Sequence, residues 1–475
     1  MSAGRDYLAH RKSVLLKASS RKHVYIGLDF GTTFAKVAYE IAPTTDHLKR
    51  SVRFGNNDES PFIPTVLYFH SGSSTLSFRR KGTDDESVVR FFKYSMVVDG
   101  LEKNVELNRC SESLSTVPER LCSAFYLACL ITIVRTRICK VANVTNVSDV
   151  DWHINMGIPV GKTVGNNPQV KPVYDEVLQV AWAWANSSYG GRDTVSIAAF
   201  DEFYKRNKTA RNPDLQTVPE LYAEVLMYQQ DNNIPEGFYA VIDIGGGTVD
   251  MAVFLKRIQK GEGAKVYCVA HEVSSEGMES IVSRVSDKLN QELMERIRQC
   301  MLNERVQFDR LGGINISDLK VSMPSRRLIA SIKDFQRSYG TCMMKAKDNK
   351  FQEMQKAART GSSLRYFMMG GGKDVHFYNS LIEDMIRQHS RFLKTLAHAQ
   401  RADIRDYMRS SANLECKDDD RLVISQMLAQ PFDNIPQLDG MPWDFVAAKP
   451  TVVSNSHQTY SNKLEDIQRE IYGDD

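Results

Sequence analysis

An α/β fold in two lobes is what this sequence predicts, on three observations. Tyr25–Glu40 (YIGLDFGTTFAKVAYE) and Tyr239–Phe254 (YAVIDIGGGTVDMAVF) read as two copies of one device. Apolar strand-like runs alternate with longer stretches of helical pattern along the chain. A length of 475 residues is as natural for two large lobes as for about three compact units, and 42% apolar residues suffice for substantial cores.

In each copy an apolar run ends in an aspartate, passes through a turn of small residues and continues as an alternating run. That is the pattern of a strand–turn–strand hairpin. With Asp29 set on Asp243, Gly31 falls on Gly245, Thr32-Thr33 on Gly246-Gly247 and Ala38 on Ala252. Consecutive backbone N–H groups in such a turn form a concave nest for an anion. The aspartates, anionic themselves, suit Mg²⁺, which takes carboxylate, water and phosphate oxygens. Two such hairpins face to face would grip a nucleoside triphosphate. A single Asp-x-Gly string is more often a plain turn, so the phosphate reading rests on the pair. A third piece, Leu364–Tyr378 (LRYFMMGGGKDVHFY), is a strand ending in Gly370-Gly371-Gly372 with a helix behind it.

At these residues the chain resembles the superfamily that contains the ATPase units of DnaK-type heat-shock chaperones, actins, actin-like filament proteins and sugar kinases. Asp29-Phe30-Gly31-Thr32-Thr33 looks like its first phosphate motif. Asp243-Ile244-Gly245-Gly246-Gly247-Thr248-Val249-Asp250 looks like its second, and residues 364–378 look like its adenosine motif. The triple glycine followed by Thr-x-Asp is nearest to the heat-shock chaperone branch. The resemblance spans most of residues 24–440 and is specific only at these motifs. It implies an actin-like ATPase fold: duplicated mixed β-sheets flanked by helices, each lobe with an inserted subdomain, binding ATP or ADP with Mg²⁺. Lobe I would cover residues 24–236 with an insertion at about 50–117. Lobe II would cover 237–440 with a helical insertion at about 276–363. A basic arm (1–23) and a tail (441–475) would flank them.

Taken in order, Val24–Tyr39 is the first hairpin, and Pro61–Phe69 is a strand punctuated by proline. Ser87–Val98 reads as a helix carrying Lys93, and Pro118–Val141 as a long buried helix. Its most apolar part, Leu121–Val134, is too short to span a bilayer. Asp151–Ile158 is a strand and Tyr174–Asn186 a helix. Ser187–Pro213 is polar and reads as a surface insertion. Val218–Gln230 is a helix broken by Pro235-Glu236-Gly237, where the chain crosses into the second lobe. Beyond the second hairpin, 275–312 is charged and amphipathic, 326–358 helical and basic, Asp374–Ala399 helical and Arg421–Leu428 strand-like.

Chemistry is assigned residue by residue. Backbone N–H groups around Gly31, Thr32, Thr33 and Gly245, Gly246, Gly247, Thr248 would cradle phosphates, with Asp29 and Asp243 positioning Mg²⁺. Asp250 reads equally as a hairpin-stabilising carboxylate or as a residue behind the metal. By resemblance, Glu220 would orient the attacking water and Lys93 would reach the γ-phosphate. The family has Pro after that glutamate and this chain has Leu221, and a carboxylate in a helix's first turn is favoured by the dipole in any case. Gly370, Gly371 and Gly372 would let the adenosine approach, with further contacts near Lys333–Lys347. Gly157-Ile158-Pro159-Val160-Gly161-Lys162-Thr163 is one residue short of a P-loop and reads as a strand end turning into a loop.

A formal net charge of +3 gives no sign of nucleic acid as the main partner. Eight scattered cysteines without a C-x-x-C string suggest reduced thiols in a cytoplasmic protein and no structural zinc. No transmembrane segment is expected, and the basic arm lacks the apolar core of a signal peptide. The leading functional expectation is a slowly hydrolysing DnaK-like switch that drives a separate partner protein, because no room is seen for a peptide-binding domain. A self-assembling actin-like filament protein, a small-molecule kinase (Lys36 is reminiscent of that branch) and a non-hydrolysing scaffold are the alternatives.

Overall fold

The computed structural model describes residues 21–43, 47–55, 60–96, 118–159, 170–230, 234–259, 263–279, 332–346, 349, 364–373, 376–389, 400–401, 408–409, 413–416 and 419–435. Expectations for the basic arm before residue 21, for 280–331 and for the tail lie outside them.

The first hairpin pairs β1 (Lys22–Phe30) antiparallel with β2 (Phe34–Ala42). Leu28, Phe30 and Val37 are buried, while Gly31 and the two threonines make the turn. β3 (Arg50–Ser51) and β4 (Phe62–Pro64) add antiparallel to β2. On the other side β8 (Val150–Ile158) lies parallel to β1, and β10 (Leu215–Pro219) parallel to β8.

The second lobe repeats this plan. β11 (Gly237–Ile244) and β12 (Val249–Gln259) form the hairpin, and β13 (Gly263–Ser274) extends it antiparallel beyond β12. β14 (Arg365–Met369) runs parallel to β11 and β15 (Gln400–Arg401) parallel to β14. With the side strand β4 set aside, both main sheets therefore read third–second–first–fourth–fifth in their own strand order. Duplicated mixed sheets with flanking helices form the expected two-lobed α/β fold.

Helices cover the sheets because parallel strands need both faces buried. In lobe I, α2 (Glu119–Val141) and α3 (Val170–Ala185) pack on the face carrying Val24, Ile26, Leu28 and Phe30. α2 is long and apolar enough to cross a membrane by composition, but most of it is buried in this core. In lobe II, residues 332–346 and α6 (His376–His389) bury Phe335, Tyr339, Tyr378 and Leu381 against β11 and β12.

A smaller sheet in the order β7 (Glu86–Val89), β5 (Leu67–His70), β6 (Thr75–Ser77), β9 (Thr194–Ser196) completes lobe I. Its last strand corrects one expectation. Residues 187–213 are not a surface insertion: β9 joins this sheet, and α4 (Ile197–Asn207) buries Phe200, Phe203 and Tyr204 in the core. Three aromatics at helical spacing outweigh the polar composition around them.

Three further expectations change. Residues 87–98 are not one helix; β7 is followed by the single turn α1 (Phe92–Ser95), entered through Phe91 at φ 61°. That left-handed residue, buried with Tyr94, reverses the chain and turns Lys93 inward. The Pro61–Phe69 run splits at Pro64, which cannot donate to a ladder. Arg421–Leu428 is helical: a 3₁₀ turn at Asp420–Leu422 leads into α7 (Val423–Leu428). Every residue of α7 is buried, so its apolar run carries no amphipathic period to separate helix from strand.

Helix α7 also joins the lobes. It follows lobe II in sequence but lies on the inner face of β1, so close that a Cβ on Gly27 would stand 2.0 Å from the Ser425 carbonyl. Asn155 on β8 donates from Nδ2 to the carbonyls of Leu428 (2.9 Å) and Gln430 (2.8 Å) and fixes its exit. α5 (Glu220–Gln230) packs against α7 from the other side.

Candidate functional site

Each hairpin turn is held from behind, which leaves its opposite side for a ligand. In the first turn the Thr65 hydroxyl donates to the Gly31 carbonyl (2.8 Å) and the Thr65 N–H to the Thr33 carbonyl (2.9 Å). In the second, the carbonyls of Gly245, Gly246 and Gly247 accept from the N–H groups of Met278, Glu279 and Gly277 at 3.0, 2.8 and 3.3 Å. Across a trans peptide the C=O and the next N–H point in opposite directions. The N–H groups of Gly246, Gly247 and Thr248 therefore face away from residues 277–279, on the side where these residues line a cleft.

The two turns meet. A Cβ on Gly246 would stand 2.1 Å from Thr33 Oγ1, and one on Gly247 3.0 Å from Thr32 Oγ1 and 2.7 Å from the Tyr94 ring. Glycine at both positions is what lets hairpin approach hairpin. The third motif closes the same cavity. Gly370, at φ 77°, sits where a Cβ would be 2.1 Å from Asp243 Oδ1, and the Gly372 N–H donates to the Ile244 carbonyl at 3.0 Å. One cleft is lined by residues of all three motifs together with Lys36, Lys93 and Glu220.

All the sequence-predicted site residues line this cleft except Gly372, which packs under it against Ile244 and Met278. No described residue of 333–346 lines it either; that stretch covers the outer face of the lobe II sheet. Glycine spacing alone does not separate a lining glycine from one beneath the floor.

Asp29 is buried, and its Oδ2 accepts from Lys36 Nζ at 2.6 Å. The two residues are cross-strand partners in the first hairpin. Burial would lower the Lys36 pKa, but Asp29 more than compensates, so it is held above its ordinary value. Glu220 opens α5, and its Oε1 accepts from Lys93 Nζ at 2.7 Å. Gly157 makes room for it: a Cβ there would stand 2.9 Å from Glu220 Cγ. The glycine of the false P-loop thus seats the candidate water-orienting carboxylate.

Charge is balanced differently in the second hairpin. There the cross-strand partner of Asp243 is Asp250, a like charge. Thr248 Oγ1 donates to Asp250 Oδ2 at 2.9 Å, so this hydroxyl braces the hairpin. Burial, then Glu220 and Asp243, push the Asp250 carboxyl up to about 8. Burial raises Asp243 to about 6, with Lys36 opposing and Glu220 and Asp29 adding to it.

Glu224, one turn beyond Glu220 on α5, is also buried among these acids, and burial followed by Asp243 and Asp250 holds it well above the carboxylate range. Sequence reading missed it, although a lone carboxylate in the apolar run Leu221–Met227, four residues from Glu220, was a signal. Phe62, Asp420 and Arg421 were missed as cleft residues as well. Arg421 stacks 4.2 Å from the Phe62 ring centroid, clasped by Asp419, and Asp420 pairs with the buried Lys373.

The residues present fit Mg²⁺. Asp243 Oδ1 is buried with no hydrogen-bond partner, and every carboxylate around it is a hard oxygen donor. No group of three His, Cys, Asp or Glu among the described residues is arranged to hold a metal unaided. Mg²⁺ bound with phosphates commonly uses one or two carboxylates and water. The described cysteines are free thiols.

No protein-family model matches this chain, and no curated protein does. Among solved structures it is similar to crystal structures of MreB 5 of Spiroplasma citri, one bound to AMPPNP and one bound to ADP. The first is 12% identical with a TM-score of 0.40, the second 13% identical with 0.39, and each overlap covers 86% of this chain and 95% of the other.

Proposed function

We propose that the chain binds ATP with Mg²⁺ between its two hairpins and hydrolyses it slowly, nucleotide state setting how far the lobes close. The observation that carries this reading is the contact of the two turns across one cleft, each turn braced through its carbonyls from the far side. A triphosphate there would be cradled by the N–H groups of Gly31–Thr33 on one side and Gly246–Thr248 on the other. Lys36, already poised beside Asp29, supplies a fixed positive charge to the phosphates. Asp243, Asp29 and Asp250 are the carboxylates that would hold Mg²⁺, which would neutralise phosphate oxygens when bound.

Glu220 and Lys93 supply the remaining function. Glu220 accepts a hydrogen bond from the attacking water and orients its lone pair. Lys93 holds Glu220 in place and offers a donor to the same water. Both groups are largely buried, so this pairing is weakly screened. Loss of the γ-phosphate removes contacts to both turns at once and frees the lobes to separate. A separate partner protein would read that motion.

Glu220→Gln tests the hydrolytic part. ATP affinity should hold while turnover falls by about a hundredfold; equal rates would reduce Glu220 to a helix-capping carboxylate. Sedimentation after addition of ATP and Mg²⁺ tests the output. Pelleting would transfer it from a separate partner to copies of the chain itself.

A further inference from the structure

The cations of the cleft wall differ in where their counter-charges stand. Lys36 and Lys93 line the cleft together with the carboxylates they pair with, Asp29 and Glu220. Arg421 lines it too, but its partner Asp419 does not. A ligand in the cleft therefore meets the guanidinium first, with the compensating charge behind it. Asp420, the preceding residue, also lines the wall, and its charge is matched by the buried Lys373.

Arg421 is held in place before any ligand arrives. Its Nε donates to Asp419 Oδ1 at 2.8 Å and its Nη2 to Asp419 Oδ2 at 2.7 Å. The same carboxylate accepts from the Arg421 N–H at 3.1 Å and so caps the 3₁₀ turn. The guanidinium carbon stands 4.2 Å from the Phe62 ring centroid. Two bonds along one edge and a ring on one face fix the plane of the side chain, a seat that suits a flat fork and not an ammonium. Its position is equally defined. Phe62 is the cross-strand partner of Lys36 beside the first hairpin, and Asp420 is tied through Lys373 to the end of the third glycine motif. Arg421 thus stands between the first phosphate turn and that motif.

We propose that Arg421 binds the phosphate chain of the nucleotide, with Asp419 and Phe62 as its positioning residues. A guanidinium donates to phosphate oxygens in charge-assisted hydrogen bonds, and ordering it beforehand spares the side-chain entropy that binding would otherwise cost. Among the described residues five carboxylates (Asp29, Glu220, Asp243, Asp250, Asp420) and three cations (Lys36, Lys93, Arg421) line the cleft. A polyanion entering such a wall needs a cation turned toward it. This inference rests on the nucleotide reading and adds to it a binding residue outside the three glycine motifs.

The test is calorimetric titration of the full chain with ADP and Mg²⁺ over a series of KCl concentrations. Arg421→Gln should weaken ADP at least about tenfold, and its affinity should fall less steeply with salt than that of the wild type. Arg421→Lys keeps the charge but not the fork and should fall between the two. Phe62→Leu removes the stacking ring and no charge, so it should cost about threefold and keep the wild-type salt dependence. Melting curves without nucleotide check the fold of each variant. An Arg421→Gln protein that binds ADP as tightly as the wild type, or that loses affinity with the salt dependence unchanged, would overturn the proposal and leave Arg421 as a brace of the 3₁₀ turn. If the Gln variant does not fold, Arg421→Lys decides, and wild-type ADP affinity there would overturn the proposal as well. A wild type that binds no ADP would sink the proposed function together with this inference. Tight ADP binding by both the wild type and Arg421→Gln would sink this inference alone.

Discussion

The two hairpins share one backbone plan and differ in the charge that faces the motif aspartate across the strands. Asp29 faces Lys36; Asp243 faces Asp250. The first hairpin therefore carries its own counter-charge, in a contact of 2.6 Å. The second carries two carboxylates raised to about 6 and about 8 and an oxygen with no partner. The two turns repeat, and the position facing the aspartate holds a cation in one hairpin and a second carboxylate in the other. In the proposed complex a metal would give the second hairpin the counter-charge that Lys36 gives the first.

The largest effect is expected from removing the carboxylate that lacks a partner. Asp243→Ala should reduce Mg²⁺-dependent ATP turnover by more than about a hundredfold, measured as phosphate release; unchanged hydrolysis would reject the metal assignment. Next, Lys36→Met leaves Asp29 buried and alone. Breaking a buried pair on one side costs about 3–5 kcal/mol, so the melting temperature should drop clearly and nucleotide affinity should fall with it. A variant as stable as the wild type would mean the first hairpin does not depend on its lysine.

Gly246→Ala addresses the contact between hairpins. Its new methyl group meets Thr33, and overpacking of this kind costs about 1–3 kcal/mol. Adding Thr33→Ala should recover most of the loss in stability, which a double-mutant cycle by chemical denaturation would show.

The smallest effect is a pH profile. Asp243 and Asp250 are held above the ordinary 3.8 in the folded protein, so it keeps protons that the unfolded chain has released. Their contribution is full below about pH 4 and is lost as pH rises through about 6 and about 8. In chelator, stability should therefore decline over that range. Asp250→Asn should flatten the upper part of the decline, and Mg²⁺ should restore what is lost.

Local chemistry decided how much of this was legible in the sequence. Both hairpins were, because aspartate, turn glycines and alternating apolar residues sit within one short window. The central strand Val150–Ile158 and the helix Glu119–Val141 were legible from their apolar runs. The charge difference was hidden, since Lys36 reads as one residue after a motif until the register sets it opposite Asp29. Lys93 was found in the wrong element. The left-handed Phe91 that turns it inward has no sequence signature, as bulky residues seldom adopt that conformation. Thr65, which pins the first turn, is 32 residues from the nearest turn residue it holds, and no short window contains both. α7 was misread because a fully buried helix shows no period, and Glu224 because its partners lie in the other lobe.

Calorimetric titration of the chelator-stripped chain with ATP, with and without Mg²⁺, tests the central claim most directly. The account predicts one ATP per chain, bound tightly only when Mg²⁺ is present, and that enhancement should vanish in Asp243→Ala. No nucleotide binding, or binding that ignores both Mg²⁺ and Asp243, would contradict it.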